Sequence, residues 1–226
     1  MKKTPHISPA GPADAHVKAT REQWLGASID TLRMEGVDQI RVLPLAQRLG
    51  VSRSSFYWYF QSRENLLDEV LAAWSAKNTA SIVDHADRSS LTIASGVLGL
   101  FECWADSRLF DPKLDAAVRA WASRDVEVEA AVVGADQTRL DAIAGMYARH
   151  GYVDSTVRAQ VLYYTQIGYY ALGIDEPNDV RLVDAAAYVQ ALTGTDPTST
   201  EVAAFAEFLD QVDKSNQYDQ CEKGTS

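Results

Sequence analysis

Four arginines, Arg41, Arg48, Arg53 and Arg63, fall in a stretch that contains no Asp or Glu, within a chain whose formal net charge is −10. Between the last two stand the hydroxyls of Ser54 and Ser55 and the aromatic run Tyr57, Trp58 and Tyr59. Guanidinium groups, hydroxyls and rings, with no carboxylate among them to repel an anion, are the groups that bond phosphates, read base edges and touch thymine methyls. A cationic strip on an acidic protein is the electrostatic footprint expected of a DNA contact. Other chemistry has little to stand on. The histidines, at 6, 16, 85 and 150, have no metal-ligand spacing to one another or to a cysteine. There is no G-x-S-x-G, no phosphate-binding Walker loop and no dinucleotide glycine run. Glu127 and Glu129 read as a solvated helix surface. No catalytic residue, metal or cofactor is expected.

The strip needs elements to present it. Leu45, Ala46 and Leu49 form the apolar face of one short helix, and Phe56, Tyr59 and Phe60 that of a second. Gly50 lies between them, where a chain leaving a helix favours positive φ and no Cβ. Ser52 follows as an N-cap for the second helix. Ala46 is small enough for two helix backbones to cross. Helix, glycine turn and capped helix make a helix-turn-helix. Upstream, Thr20 and Gln23 form a capping-box pattern that opens a supporting helix with the inner stripe Trp24, Ala27, Ser28, Thr31 and Leu32. Gly36 ends it, and Ile40 and Val42 close a small core.

The run Leu45-Ala46-x-x-Leu49-Gly50-Val51-Ser52-x-x-Ser55-Phe56-Tyr57-x-Tyr59-Phe60-x-Ser62-Arg63-x-x-Leu66-Leu67 resembles the DNA-binding domain of TetR-family regulators. Three positions depart from the usual pattern: Arg63 for Lys, Arg41 for a capping Thr or Ser, and Pro44 early in the first of the two helices. Pro44 is tolerable there because a first-turn N–H is unpaired anyway. The resemblance implies an all-α chain with an N-terminal three-helix DNA-binding domain, followed by a helical domain that binds a ligand and dimerises. The candidate DNA contacts are Arg41, Arg53, Ser54, Ser55, Tyr57, Trp58, Tyr59 and Arg63, of which Ser55, Tyr57 and Arg63 stand where the family contacts phosphate. Arg53, in the first turn of the recognition helix, reaches either a guanine edge or a phosphate. Arg63 takes the place of the family's phosphate-binding Lys.

The totals set the rest of the frame. With 226 residues, 46% of them hydrophobic, the chain has an ordinary globular composition. No apolar run approaches a membrane span or a signal-peptide core, so the cytoplasm is the expected location. Cys103 and Cys221 are far apart and read as free thiols; a redox role for Cys103 is the lesser reading. Charge is split unevenly, about +1 over residues 1–75 and −11 over residues 76–226. The expected divisions are a flexible arm over 1–19, the DNA-binding domain over 20–65, the effector and dimerisation domain over 66–213 and a flexible tail over 214–226. Lys2, Lys3 and Lys18 on the arm are further candidates for backbone contacts.

After Ser62, which caps the next helix, every segment is helix-like. That helix, with Leu66, Leu67, Val70, Leu71 and Trp74 inside, runs to about Asp84 as a lever from head to body, and His85–Ser90 reads as a loop. Further helices are expected over Leu91–Asp106, from Asp111-Pro112 through Ala122, over Asp125–His150 with Ala131, Leu140, Ile143 and Tyr147 inside, over Asp154–Leu172, from Asn178 through Leu192, and from Thr198 to about residue 213. Candidate pocket walls are Phe101, Trp104, Phe110, Trp121, Tyr147, Tyr163 and Gln166. The helix over 154–172 is apolar on most sides, the mark of burial on two faces. Val161, Tyr164, Gly168, Val189 and Phe205 are the candidate dimer contacts. The expected partners are a palindromic operator in double-stranded DNA, a second copy of the chain and a small-molecule effector, with no membrane. The expected function is a homodimeric repressor released by ligand. The alternatives are an activator or ligand-independent binder of the same fold, and an enzyme or interaction module carrying a DNA-binding head.

Overall fold

The structure is a computed structural model that describes residues 19–174 and 176–223, side chains beyond 215 excepted. The arm residues Lys2, Lys3 and Lys18, with His6 and His16, lie outside the described residues. All regular structure among the described residues is helical. The chain divides into two units, the first ending at Leu67 and the second beginning at Asp68.

In the head, α1 (Arg21–Glu35) begins at a complete capping box: the Thr20 hydroxyl accepts from the Gln23 amide at 3.3 Å, and the Thr20 amide donates to the Gln23 side chain at 2.7 Å. It stops at Gly36, whose φ is +87°. A short 3₁₀ turn (Val37–Gln39) leads to α2 (Val42–Arg48). The core is built from Trp24, Leu32, Ile40, Leu45, Phe56 and Phe60, all essentially without solvent exposure. Phe56 meets Trp24 edge-on at 5.3 Å and stacks on Phe60 at 5.2 Å. Burying such a ring contributes roughly 1.5–3 kcal/mol, so these three aromatics hold much of a small domain. Val42 is only half-buried, and Val37 takes the place expected for it.

Helix α3 (Arg63–Trp74) is joined to α4 (Ala80–Asp87) by a π-helical turn over Ser75–Thr79. Ser62 caps α3 through its hydroxyl, which accepts from the Asn65 amide at 3.2 Å. The π turn has a cause in the pattern. Val70, Trp74, Asn78, Ile82 and Ala86 are all fully buried at a strict spacing of four. In a straight α-helix that spacing drifts by about 40° per step; one wider turn keeps the stripe facing inward. Helicity continues through His85, which the sequence reading put in a loop. The imidazole is buried and its Nδ1–H donates to the Ser81 carbonyl at 2.6 Å.

The rest of the body is α5 (Ile93–Ala105), α6 (Pro112–Ala122), α7 (Val126–Arg149), α8 (Ser155–Ala171), α9 (Asn178–Thr193) and α10 (Ser199–Lys223). Helix α5 starts two residues later than expected, because Thr92 and Ser95 form the capping box and leave Leu91 fully exposed. Asp111 and Asp125 cap α6 and α7 as expected. Helix α10 continues to Lys223, past the end expected near residue 213. The main core gathers Ile82, Val97, Leu100, Phe110, Ile143 and Tyr147 with residues of α8 to α10.

The inner face of α7 holds a residue the sequence reading passed over. Arg139 is fully buried there, in line with Val128, Val132, Ala135, Ile143 and Met146. Its Nη1 donates to Asp115 at 3.1 Å and to the Tyr163 hydroxyl at 2.9 Å, and its Nε donates to Thr79 at 3.1 Å. Arg119 joins Asp115 to Asp136 by bonds of 2.8 Å or less, and the Tyr163 hydroxyl donates to Asp136 at 2.6 Å. The Trp74 indole donates to Asp115 at 2.9 Å. Two arginines and two aspartates make the cluster neutral as a whole, the condition for burying charge at all.

Candidate nucleic-acid interface

The turn between the two helix-turn-helix elements follows from Gly50. Its φ is +66°, and the Val51 amide donates back to the Ala46 carbonyl at 3.0 Å. Ala46 is buried under the crossing, as its size demands. The recognition element itself differs from the expectation: Arg53–Trp58 is a 3₁₀ turn, not an α-helix. Three serines explain the difference. Ser52 holds the N-cap position but makes no capping bond; its hydroxyl pairs with that of Ser54 at 2.9 Å. Ser55 donates to the Ser52 carbonyl at 2.7 Å. Serines that bond locally compete with α-helical hydrogen bonds.

The outward face is Arg53, Ser54, Tyr57 and Trp58, at positions i, i+1, i+4 and i+5, with Tyr59 at its edge. Trp58 is 61% exposed, so a large part of its ring is available as contact surface. Arg53 donates to the Tyr57 hydroxyl at 3.3 Å, so guanidinium and ring are held side by side on the surface. Arg41 is exposed at the start of α2, its Nε on the Asp38 carbonyl.

Two expected contact residues have other employment. Ser55 is buried, and its hydroxyl is committed to Ser52; the 3₁₀ geometry turns it inward beside Phe56, away from the outward face. Arg63 spends two of its three nitrogens on the 37–40 turn, donating to the Ile40 carbonyl at 2.6 Å and the Val37 carbonyl at 2.9 Å. Arg48, the fourth arginine of the cationic strip, ties α2 to α1 through Glu35 at 2.6 Å and Thr31 at 2.8 Å.

In the body, a cavity of about 110 Å³ lies between α5, α8, α9 and α10. Of the expected pocket residues, Phe101, Trp104 and Gln166 line it. Phe110, Trp121, Tyr147 and Tyr163 do not: they are packed into the core, Phe110 as a second layer stacked on Tyr170 at 5.6 Å. Tyr169, Tyr170, Arg181 and Tyr188 line the cavity as well. Of the expected dimer contacts, Val161 and Tyr164 are exposed on α8, with the partly covered Gly168 near them. Val189 and Phe205 are corrections, since both are buried in the chain's own core. Cys103 is buried as well, and burial pushes its thiol up to about 12, which removes the nucleophile that redox chemistry needs. No metal-ligand cluster and no helix long and apolar enough to cross a membrane occur among the described residues.

A three-helix head that presents arginine, hydroxyl and aromatic side chains on one face, followed by an all-helical body, is the build of a helix-turn-helix DNA-binding protein. Residues 25–70 match the model of the bacterial regulatory proteins of the tetR family. Over 61 residues it is 39% identical to the tetracycline repressor protein class A from transposon 1721 of Escherichia coli, covering 27% of this chain and 28% of that protein. Over 59 residues it is 30% identical to the uncharacterized HTH-type transcriptional regulator TtgW of Pseudomonas putida, covering 26% and 44%. The chain thus spans less than half the length of these two curated relatives. Among solved structures, a transcriptional regulator from Rhodococcus sp. Rha1 is similar over 85% of this chain and 97% of its own, with TM-score 0.57 and 15% identity. Salmonella enterica GusR is similar over 85% and 94%, with TM-score 0.54 and 13% identity. At such identities the likeness is one of fold. It extends the comparison from the head to the helical body.

Proposed function

We propose that the chain is a homodimeric regulator of transcription that binds a palindromic operator through residues 41–63 and is released from it by a small molecule held in the body. The observation that carries this reading is the outward face of Arg53, Ser54, Tyr57 and Trp58, acid-free and set on a helix-turn-helix. In this reading Arg53 reads a base edge, Trp58 packs on a thymine methyl or sugar, and Tyr57, Tyr59 and Arg41 hold phosphates. Arg63 braces the turn behind them and meets phosphate only with the nitrogen it has left.

One such face touches too few base pairs for useful specificity, and two copies would read half-sites roughly 34–36 Å apart. The second copy has a place to sit. Val157, Val161, Tyr164 and Gly168 of α8 and its C-cap Leu172 follow one another at spacings of four, three, four and four, and the four larger side chains among them are each more than half exposed. That is the seam of two packed helices, with Gly168 permitting close approach. Release by ligand requires that the ligand favour one of two body states. Helix α3 begins in the head and ends in the body, and is the covalent route between them.

Selection of sites from a random DNA pool at ~0.15 M salt, where non-specific attraction is partly screened, tests the reading. A palindromic consensus is expected, with Arg53→Ala losing discrimination at one position. Equal loss on selected and random DNA for that variant would remove Arg53 from base reading, and no enrichment at all would remove the operator.

A further inference from the structure

The cavity in the body has a lining that selects among ligands. On α8, Leu162, Gln166 and Tyr169 stand at i, i+4 and i+7; on α9, Arg181, Ala185 and Tyr188 stand at the same spacing and face them across the gap. These are the inner stripes of two helices that do not close on each other. Phe101 and Trp104 of α5 and Phe205 of α10 form the floor. The back wall is rigid: Tyr170 stacks on Phe110 at 5.6 Å and its hydroxyl donates to the Trp104 carbonyl at 2.8 Å. A wall fixed by a ring stack and a hydrogen bond resists collapse into the void.

We infer that this cavity binds an uncharged, planar aromatic molecule of one or two rings that carries a hydroxyl or carbonyl group. Three features decide the class. Six of the fourteen lining side chains are aromatic, whereas the aliphatic ones are short and scattered. Ring edges and faces arranged around a void reward a flat π-system beyond the area it buries. The volume of about 110 Å³ is the scale of a single ring, since an apolar cavity of ~150 Å³ accepts benzene. The cavity is open on one side, so a second ring can extend out through its mouth. Charge comes in balance, with one cation, Arg181, and one anion, Glu176, the latter accepting from the Tyr169 hydroxyl at 3.1 Å. The formal charges of the lining therefore cancel. The Gln166 amide and Thr165 hydroxyl supply neutral donors and acceptors, which orient a ligand without demanding charge.

That such a ligand is the effector rests on the regulator reading above; that it binds does not. The test uses the full chain and isothermal calorimetry with three probes: 2-naphthol, its charged counterpart 2-naphthoate, and the uncharged aliphatic octan-1-ol. The expected result is saturable binding of one 2-naphthol per chain, at least tenfold tighter than either comparator. Gln166→Leu is expected to weaken it about tenfold, and Ala105→Phe, which fills the cavity from α5, to abolish it with the circular dichroism unchanged. Should Ala105→Phe misfold, Gln166→Leu decides. No saturable binding of 2-naphthol, equal or tighter binding of either comparator, or unchanged affinity in Gln166→Leu overturns the assignment. Binding with no change in affinity for selected DNA leaves the site standing and sinks the effector role. Release of DNA by other compounds that do not compete with bound 2-naphthol sustains the regulator and places its switch elsewhere.

Discussion

Replacing Arg139 with Met keeps most of the side-chain volume and removes only the guanidinium. In the folded body that group is fully buried, so solvent screening does not reduce its contribution. It makes bonds of 3.1 Å to Asp115, 2.9 Å to Tyr163 and 3.1 Å to Thr79, and lies over the Trp74 ring at 5.1 Å. Breaking a buried pair costs about 3–5 kcal/mol because the remaining charge is left uncompensated. Two features of this site pull the figure to the low end. Asp115 keeps Arg119 at 2.8 Å and the Trp74 indole at 2.9 Å. The Arg139 Nη2 is buried with no hydrogen-bond partner, a cost of roughly 1–3 kcal/mol that disappears with the side chain. A loss of about 3 kcal/mol is therefore expected, read from urea unfolding at fixed protein concentration. The double variant Arg139→Met/Asp115→Asn is expected to recover part of it, since the cluster's surplus negative charge goes too; the shortfall from additivity measures the coupling. If Arg139→Met is neutral within about 0.5 kcal/mol, or the double variant simply sums the two losses, the buried cluster is not held by these pairings and the reasoning fails.

Two further outcomes are expected. Gly50→Ala places a Cβ in open space but at φ +66°, so it costs about 1–2 kcal/mol of backbone strain in the head, while Gly134→Ala on an exposed turn of α7 gains roughly 0.5–1 kcal/mol; paired thermal melts with the same sign would contradict this. Acid destabilises the body in two stages. Burial, only partly offset by the bond to Ser81, holds the His85 imidazole below its ordinary 6.5, so its contribution is full above pH 6.5 and is lost as pH falls from there through the folded value. Burial raises the Asp115 carboxyl, but Arg139 and Arg119 outweigh it and hold the group below 3.8, so that contribution is lost only as pH falls from 3.8 through its folded value. His85→Leu removing the upper stage from a stability–pH profile, and leaving the lower, is the check.

The head was legible because its determinants are local. Thr20 with Gln23, Gly36, Gly50, Ser62 and the Leu45/Ala46/Phe56/Phe60 pattern each act within a few residues of themselves, so spacing alone gives their roles. The 3₁₀ form of Arg53–Trp58 was not, because Ser52, Ser54 and Ser55 have two sets of acceptors within reach and composition does not choose between them. In the body, helix existence could be read but not the direction in which rings point. Phe110, Tyr147 and Tyr163 have the same spacing and chemistry as Trp104 and Tyr169; only the tertiary gap between α8 and α9 makes pocket wall of one set and core of the other. Val189 and Phe205 fell to the same ambiguity, an apolar face that serves its own chain or a second copy. Arg139 was missed for the opposite reason: a charge on a helix is ordinarily solvated, and nothing within α7 announces that its counter-ion lies on α6.

The π turn between α3 and α4 separates chain length from helix phase. Between Trp74 and Ala80 the polypeptide carries one residue more than an α-helix needs, and the surplus lets two consecutive side chains, Asn78 and Thr79, both enter the interior. Asn78 there exchanges hydrogen bonds with the Asp111 backbone, and Thr79 receives Arg139. Elsewhere in a helix the loss of one residue rotates everything downstream by about 100°. At this turn the same deletion would restore an unbroken α-helix with the flanking faces kept in phase, at the cost of one of the two interior side chains that the extra residue supplies.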